Sequence, residues 1–354
     1  MKNPIFEYWG KAEPNYPGDQ KWHPLVYHSL DVAAVGFEYL SQEKAISDWF
    51  CNELNCNNSE WLHWASFWLT LHDLGKFSEA FQSQKPELFE ILQGRKPNPE
   101  KSYTERHDSL GQWLWRDYLA DHAIEVSWFG EITEVQKSSL DIWMRSVTGH
   151  HGQPPKALPP FVDIDSYYSK SDKRTSLAFV QAMRDLLLPQ PAAAMLLATL
   201  DAIKFEHVSQ ALSWWFAGIT VLADWLGSNT DYFPYQAAHT SSEEYWRYAR
   251  QQAKKALKDS GVVSHKVVAN LTFSDLFRKI PIPSPLQQWA IDTEISGEPQ
   301  IFLLEDVTGA GKTEAALTFT YRLMEKGAAN GFFIGYRNIR GTADIFAGRR
   351  NRCR

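Results

Sequence analysis

Apolar residues recur at three- and four-residue spacing through most of the first 260 positions, a period that predicts helices. The N-terminal stretch, residues 1–24, is polar with Gly and Pro and reads as loop. From Leu25 a stripe of Val26, Leu30, Ala33, Phe37 and Leu40 marks the first helix. Residues 41–60 read as polar connection and a short helix. Residues 61–73 are apolar almost all round (Trp61, Leu62, Trp64, Ala65, Phe67, Trp68, Leu69, Leu71), which predicts a buried helix leading into His72 and Asp73. Gly75, just beyond, is expected to let that helix stop. A charged, Pro-bearing excursion over 82–106 separates it from a helix opened by His107, with Leu110, Leu114 and Tyr118 on one stripe. Leu140, Trp143, Met144 and Val147 mark the next helix, which ends at Thr148-Gly149. Residues 152–175 contain Pro154, Pro155, Pro159 and Pro160 and are expected to form a long loop. Helices are then predicted over 176–188, 191–207, 211–227, the last with Ala211, Trp214, Gly218, Leu222 and Trp225 in step and carrying Asp224, and over 241–259. No β-type alternation of any length precedes residue 260, so this part reads as all-α.

The pattern changes after residue 260. Pro281, Pro283 and Pro285 break it. Ile301-Phe302-Leu303-Leu304 then predicts a short buried strand, Val307–Thr313 a phosphate loop, Glu314 onward a helix, and Phe332-Phe333-Ile334 a second strand. Strand, phosphate loop, helix and strand in that order open a parallel α/β sheet. The expected domains are 1–260, helical; 261–336, an incomplete α/β lobe; and 337–354, a basic tail with six arginines against one aspartate, expected to be disordered.

Composition adds constraints. At 44% hydrophobic and 14% aromatic, the 354-residue chain can bury a large core. The formal net charge of −6 argues against a uniformly basic coat for nucleic acid. Cys51, Cys56 and Cys353 form neither a disulfide framework nor a zinc-thiolate pattern, which fits a reducing cytoplasm. The N-terminus lacks the apolar stretch of a signal peptide. No run approaches the ~20 apolar residues of a membrane span.

Chemistry concentrates at helix ends. His28, His72, Asp73, His107, His150, His151 and Asp224 all fall on predicted helices or just past them. Imidazole and carboxylate are good ligands for borderline divalent metals. The twin imidazoles after Gly149 put two ligands in one place. Seven ligands exceed the four of one structural zinc and fit two ions with Asp73 bridging. Such a pair clamps a phosphodiester and activates water, and Mn, Fe, Co or Ni suit the donors better than Mg alone. Lys76 reads either as a phosphate contact or as a cation at a helix C-terminus. Asp31 is expected to orient His28 or to be solvated. The tryptophans read mostly as core, with base stacking as the other use.

His28, His72-Asp73 with Gly75-Lys76, His107, Gly149-His150-His151-Gly152 and Ala223-Asp224-Trp225-Leu226-Gly227-Ser228 together resemble the HD nuclease domain of the CRISPR type I signature nuclease-helicase. The text Tyr8-Trp9-Gly10-Lys11 and Tyr27–Ala34 is most similar to the type I-E branch. The resemblance spans about residues 5–335. It implies a mainly α HD-superfamily domain followed by an incomplete RecA-like lobe. It implies one metal on His28, His72, Asp73 and Asp224, and a second on His107, His150 and His151 with Asp73 shared. Single-stranded DNA and the CRISPR surveillance complex are the implied partners of what is expected to be a monomer, with Asp73 and Lys76 as the implied catalytic residues.

Thr308-Gly309-Ala310-Gly311-Lys312-Thr313 reads as helicase motif I, with Gly309, Gly311, Lys312 and Thr313 for ATP-Mg and Gln287 or Gln288 for adenine. Asp306 stands where such a motif wants Gly, which weakens the nucleotide site. No Walker B text follows, so the expectation is a truncated lobe without helicase activity. Two alternatives stand beside the nuclease: an HD phosphohydrolase acting on nucleotides, and a non-cutting remnant that docks on the surveillance complex.

Overall fold

In the computed structural model of the chain, residues 3–189, 200–238, 241–263, 267–298, 300–329, 331–337 and 343–347 are described. Two compact units divide at Ser260/Gly261.

The first unit is built from helices. A short antiparallel hairpin, β1 (Trp9–Ala12) with β2 (Trp22–Pro24), precedes them. This corrects the reading of residues 1–24 as loop and of the unit as all-α: strands of three and four residues are too short to show a period. Helix α1 (Leu25–Gln42) is buried along nearly its whole length. Helix α2 (Lys44–Leu54) ends on Asn55 in the left-handed conformation. Helix α3 (Asn58–Thr70) starts with a capping box between Asn57 and Glu60 and is buried on all sides. It stops before His72 and Asp73, which fall in the following turn rather than on the helix, and a 3₁₀ turn covers Leu74–Phe77. A buried turn of helix, α4 (Glu79–Gln82), leads into the charged excursion, which holds α5 (Pro86–Gln93). Helix α6 (His107–Leu114) runs through a π turn, Trp115–Leu119, into α7 (Ala120–Glu125). Helix α8 (Glu134–Thr148) has its own capping box, Thr133 with Gln136.

Helix α9 (Lys170–Leu187) begins six residues before the sequence reading placed it, because Ser169 and Asp172 form a capping box the apolar pattern does not register. The two helices expected over 191–207 and 211–227 are one from Ala202 on, α10 (Ala202–Gly227); residues 190–199 lie outside the described ones. Helix α11 (Ser242–Ser260) closes the unit. Helix α1 packs against α3, α10 and α11, and α8 lies along α10. Trp61, Trp64, Trp68, Trp115 and Trp143 are fully buried, and edge-to-face contacts link Trp64 with Trp68, Trp143 and Phe129, Trp68 with Trp115, and Trp61 and Trp143 with Phe216. No described helix is long and apolar enough to cross a membrane.

The second unit holds α12 (Phe273–Leu276), α13 (Pro285–Asp292) and α14 (Lys312–Glu325) around a small core of Ala290, Ile295, Ala315 and Phe319. The expected buried strand at Ile301–Leu304 is not formed. Phe302 and Leu304 pack on that core, but Ile301 and Leu303 stand almost fully exposed and no described strand pairs with the segment. The second strand, β3 (Phe333–Arg337), pairs antiparallel with β4 (Ala343–Ala347). The described strands therefore do not open a parallel sheet, and part of the tail expected to be disordered is a strand.

Candidate metal centre

Five separate elements deliver the candidate ligands. His28 comes from the first turn of α1, His72 and Asp73 from the turn after α3, and His107 from the start of α6. His150 and His151 lie on a 3₁₀ turn, Gly149–His151, after α8, and Asp224 lies near the end of α10. Two glycines set the approach. A Cβ on Gly75 would stand 1.9 Å from the carbonyl oxygen of His107 and 2.6 Å from the nitrogen of Gly111. Gly75 therefore lets α6 press against the turn carrying Asp73; α3 has already ended at Thr70, so, contrary to the expectation from the sequence, the glycine is not what stops it. A Cβ on Gly227 would lie 3.0 Å from the backbone of Val32, which brings α10 onto α1 one turn from both Asp224 and His28.

All seven side chains converge. Asp73 Oδ2 lies 3.1 Å from His28 Nε2 and 3.2 Å from His72 Nε2, while Asp224 Oδ1 lies 3.5 Å and 3.7 Å from the same two nitrogens. Asp73 Oδ1 faces the other way, 3.2 Å from His107 Nε2 and 3.8 Å from His150 Nε2. His151 Nε2 is 2.9 Å from His107 Nε2. Two groups thus form, His28–His72–Asp224 and His107–His150–His151, each with its ligand atoms within 4.8 Å of one another. The carboxylate of Asp73 lies between them.

The donor set fits divalent cations. His72 Nδ1 is 2.9 Å from the carbonyl of Leu69 and His150 Nδ1 2.9 Å from that of Val147. A carbonyl only accepts, so each Nδ1 carries the proton and each Nε2 turns a lone pair inward. His107 Nδ1 meets the Tyr103 hydroxyl at 3.1 Å. The lone pairs that His72 and His150 turn inward face the Asp73 carboxylate with no proton of their own to share, a repulsion that a cation would relieve. Asp73 Oδ1 is buried with no well-aligned hydrogen bond, its nearest neighbour being His107 Nε2 at 3.2 Å, and a cation between them would satisfy both atoms.

Electrostatics keep the ligands in their binding forms. Burial, with help from Lys11, lowers His28 to about 4; burial and His72 lower His150 to about 3. His151 is lowered by burial and by His107. Burial pushes Asp73 upward, but Lys76 and the imidazoles of His72, His107 and His28 outweigh it and hold the carboxyl well below its usual range. The Asp224 carboxyl is also held well below that range, as His28, His72 and Lys11 overcome its burial.

Lys76 is buried, with Nζ 2.6 Å from Asp73 Oδ2 and 3.2 Å from the carbonyl of Gly10. Asp31 does not serve His28. It is buried against His23, 3.0 Å away, and accepts a hydrogen bond from Tyr245 at 3.0 Å, so it is neither solvated nor a partner of the site. Two residues near the centre escaped the sequence reading. Tyr103 backs His107, four residues ahead of it. Lys11, on β1, has its ammonium pushed down by burial and by Lys76 while Asp224 and Asp73 pull it up. Its neighbour Gly10 packs against Leu25 and His28.

The phosphate loop is separate. Gly309 and Gly311 have positive φ, and Lys312 Nζ donates to the carbonyls of Asp306 (2.7 Å) and Val307 (2.8 Å). Thr313 lies in the first turn of α14. Gln287 forms a capping box with Ser284 at the start of α13, its Nε2 3.5 Å from the Gly311 carbonyl; Gln288 pairs with Asp292.

The family described as "Cas3, HD domain" matches residues 9–233. The CRISPR-associated endonuclease/helicase Cas3 of Escherichia coli is 27% identical over 92% of this chain, which spans 37% of that protein. The corresponding protein of Thermus thermophilus is 26% identical over 90% of the chain and 32% of its own length. The chain spans about a third of the curated relatives it matches. Among solved structures, one titled as a CRISPR-associated protein superposes with a TM-score of 0.66 at 26% identity, covering 92% of this chain and 34% of its own. With the family pattern covering well over half of its length, the chain belongs to the Cas3 HD domain family.

Proposed function

We propose that the chain hydrolyses phosphodiester bonds of single-stranded DNA at a pair of divalent cations, within CRISPR type I defence. One observation carries the reading: the two oxygens of the buried Asp73 carboxylate face two different sets of ligand atoms. Cations held there would polarise the phosphoryl oxygens and lower the pKa of an attacking water. His28, His72 and Asp224 would hold one, His107, His150 and His151 the other, and Asp73 both. The ammonium of Lys76 fixes Asp73 Oδ2 in the bridging pose and supports its ionised form. The carbonyls of Leu69 and Val147 hold the imidazoles of His72 and His150 in the tautomer that presents Nε2. Lys11 adds positive charge beside Asp224, where a phosphate must approach.

The names of the relatives supply the CRISPR context, and a surveillance complex is the partner proposed from it. Cleavage is proposed to be independent of ATP, a reading supported by Lys312 being engaged with carbonyls of its own loop. The test is nicking of circular single-stranded DNA by protein loaded with Mn²⁺ or Ni²⁺, without ATP. Cleavage that disappears in Asp73→Ala is expected. An intact circle together with hydrolysis of free dNTPs would replace this reading by a nucleotide phosphohydrolase. An intact circle with retained binding to the surveillance complex would leave a docking protein.

A further inference from the structure

Most of the tryptophans are core, but three on α10 are not. Trp214 is 79% exposed and Trp225 74%, with Trp215 partly covered by Trp49. Folding does not account for two bare indoles on one helix, since each leaves a large apolar surface in water. They belong to one stripe. Lys204, Ala211, Trp214, Gly218, Val221 and Trp225 fall on one exposed face, and a Cβ on Gly218 would meet nothing within 4 Å. The two indoles are eleven residues, about 16 Å, apart along the axis, with an open shelf between them. The stripe reaches the end of the helix that carries the site: Trp225 directly follows Asp224, its indole turned about 100° around the axis from that carboxylate. It also carries no carboxylate, although the chain as a whole is acidic. The helix has only two, Glu206 and Asp224, and neither belongs to this face.

We propose that this face of α10 is a stacking platform for unpaired nucleobases, which seats a single strand on Trp214 and Trp225 and leads it to the centre at Asp224. The inference rests on the nuclease reading for its substrate class. Three features favour bases over another apolar partner: flat aromatic faces in the open, a place on the helix that carries Asp224 of a centre suited to phosphodiesters, and no carboxylate on that face of the helix to repel phosphates. Stacking on indole is tolerant of sequence, as every base offers a π-face. Trp214 and Trp225 are on this account positioning residues, which hold the strand through its bases and touch no reacting atom.

The experiment uses the full chain in chelator, so that binding is read apart from cleavage. Fluorescence anisotropy of a labelled oligothymidylate is compared with that of an abasic strand of equal length. Wild type is set beside Trp214→Ala, Trp214→Phe, Trp225→Ala and Ile91→Ala, an exposed apolar control elsewhere. Each Trp→Ala change should weaken thymidylate binding on the order of tenfold, with Phe restoring part of the loss and Ile91→Ala without effect. The abasic strand should bind weakly and alike to all. Equal affinity of wild type and the two alanine variants overturns the platform, as does tight binding of the abasic strand. Light scattering that finds a dimer dissolved by Trp214→Ala overturns it too, making the face a contact between copies. Wild type that cuts DNA while the Trp variants bind normally defeats the platform and leaves the nuclease standing. Base-dependent binding with no cleavage under any divalent metal does the reverse.

Discussion

At the scale of single residues, Asp73 concentrates the argument, and Lys76 is the residue that makes a buried carboxylate there tolerable. Its ammonium is the nearest cation and shares the burial. Removing one partner of a buried ion pair costs about 3–5 kcal/mol. Lys76→Met is therefore expected to destabilise the metal-free protein by that order, and saturating Mn²⁺ should recover most of the loss by replacing the missing charge. Urea denaturation with and without Mn²⁺ checks it; an equal loss in both conditions would refute the role. His150 gives a pH test. Its imidazole takes up a proton only near pH 3 when folded but near 6.5 when unfolded. The stability it contributes is thus complete above pH 6.5 and is lost as pH falls toward 3. In chelator, wild type should lose roughly 1.4 kcal/mol per pH unit more than His150→Gln between pH 6 and 4. Parallel pH profiles from urea melts would contradict this. The candidate ligands could be picked out of the sequence because their types and helix-end positions suit metal chemistry, and the structure brings them together. Asp31 was misread, because its partners His23 and Tyr245 lie on segments whose proximity no local pattern encodes. Lys11 was missed for a like reason: it sits on a four-residue strand with no period to flag it.

At the scale of elements, close backbone approach decides the site's shape. Helix α6 can carry His107 to Asp73 only because Gly75 has no side chain. Gly75→Ala should destabilise the protein by on the order of 3 kcal/mol or more and lower its metal content, since the 1.9 Å contact is with backbone and cannot rotate away. Thermal melts with elemental analysis check both effects; a wild-type melt would show the contact to be loose. Helices α1 and α8 were read from their apolar stripes, the signal amphipathic packing produces; on α10 the stripe read, Ala211, Trp214, Gly218 and Trp225, is the exposed one, and Leu212, Phe216, Ile219 and Ala223 form the packed face. The start of α9 and the hairpin β1–β2 were not, for they depend on a polar cap and on strands of three or four residues. The segment Ile301–Leu304 shows the opposite failure. Its composition suits a buried strand, but its alternate residues face solvent and no described neighbour pairs with it.

At the scale of the whole molecule, the candidate ligands and their packing belong to the first unit, and the phosphate loop belongs to the second. A chain ending at Ser260 is expected to fold, bind metal and cut circular single-stranded DNA at the rate of the longer chain. ATP should not change the rate of the latter. ATP-stimulated cleavage, measured on the same circle, would give the second unit a role this account denies it.

The central claim is that Asp73 joins two cations. Electron paramagnetic resonance of the Mn²⁺-loaded protein, with metal content measured on the same sample, tests it most directly. The account predicts two ions per chain with an exchange-coupled spectrum, replaced in Asp73→Ala by the hyperfine sextet of isolated ions or by no bound metal. One ion per chain, or two that give uncoupled spectra in the wild-type protein, would contradict it.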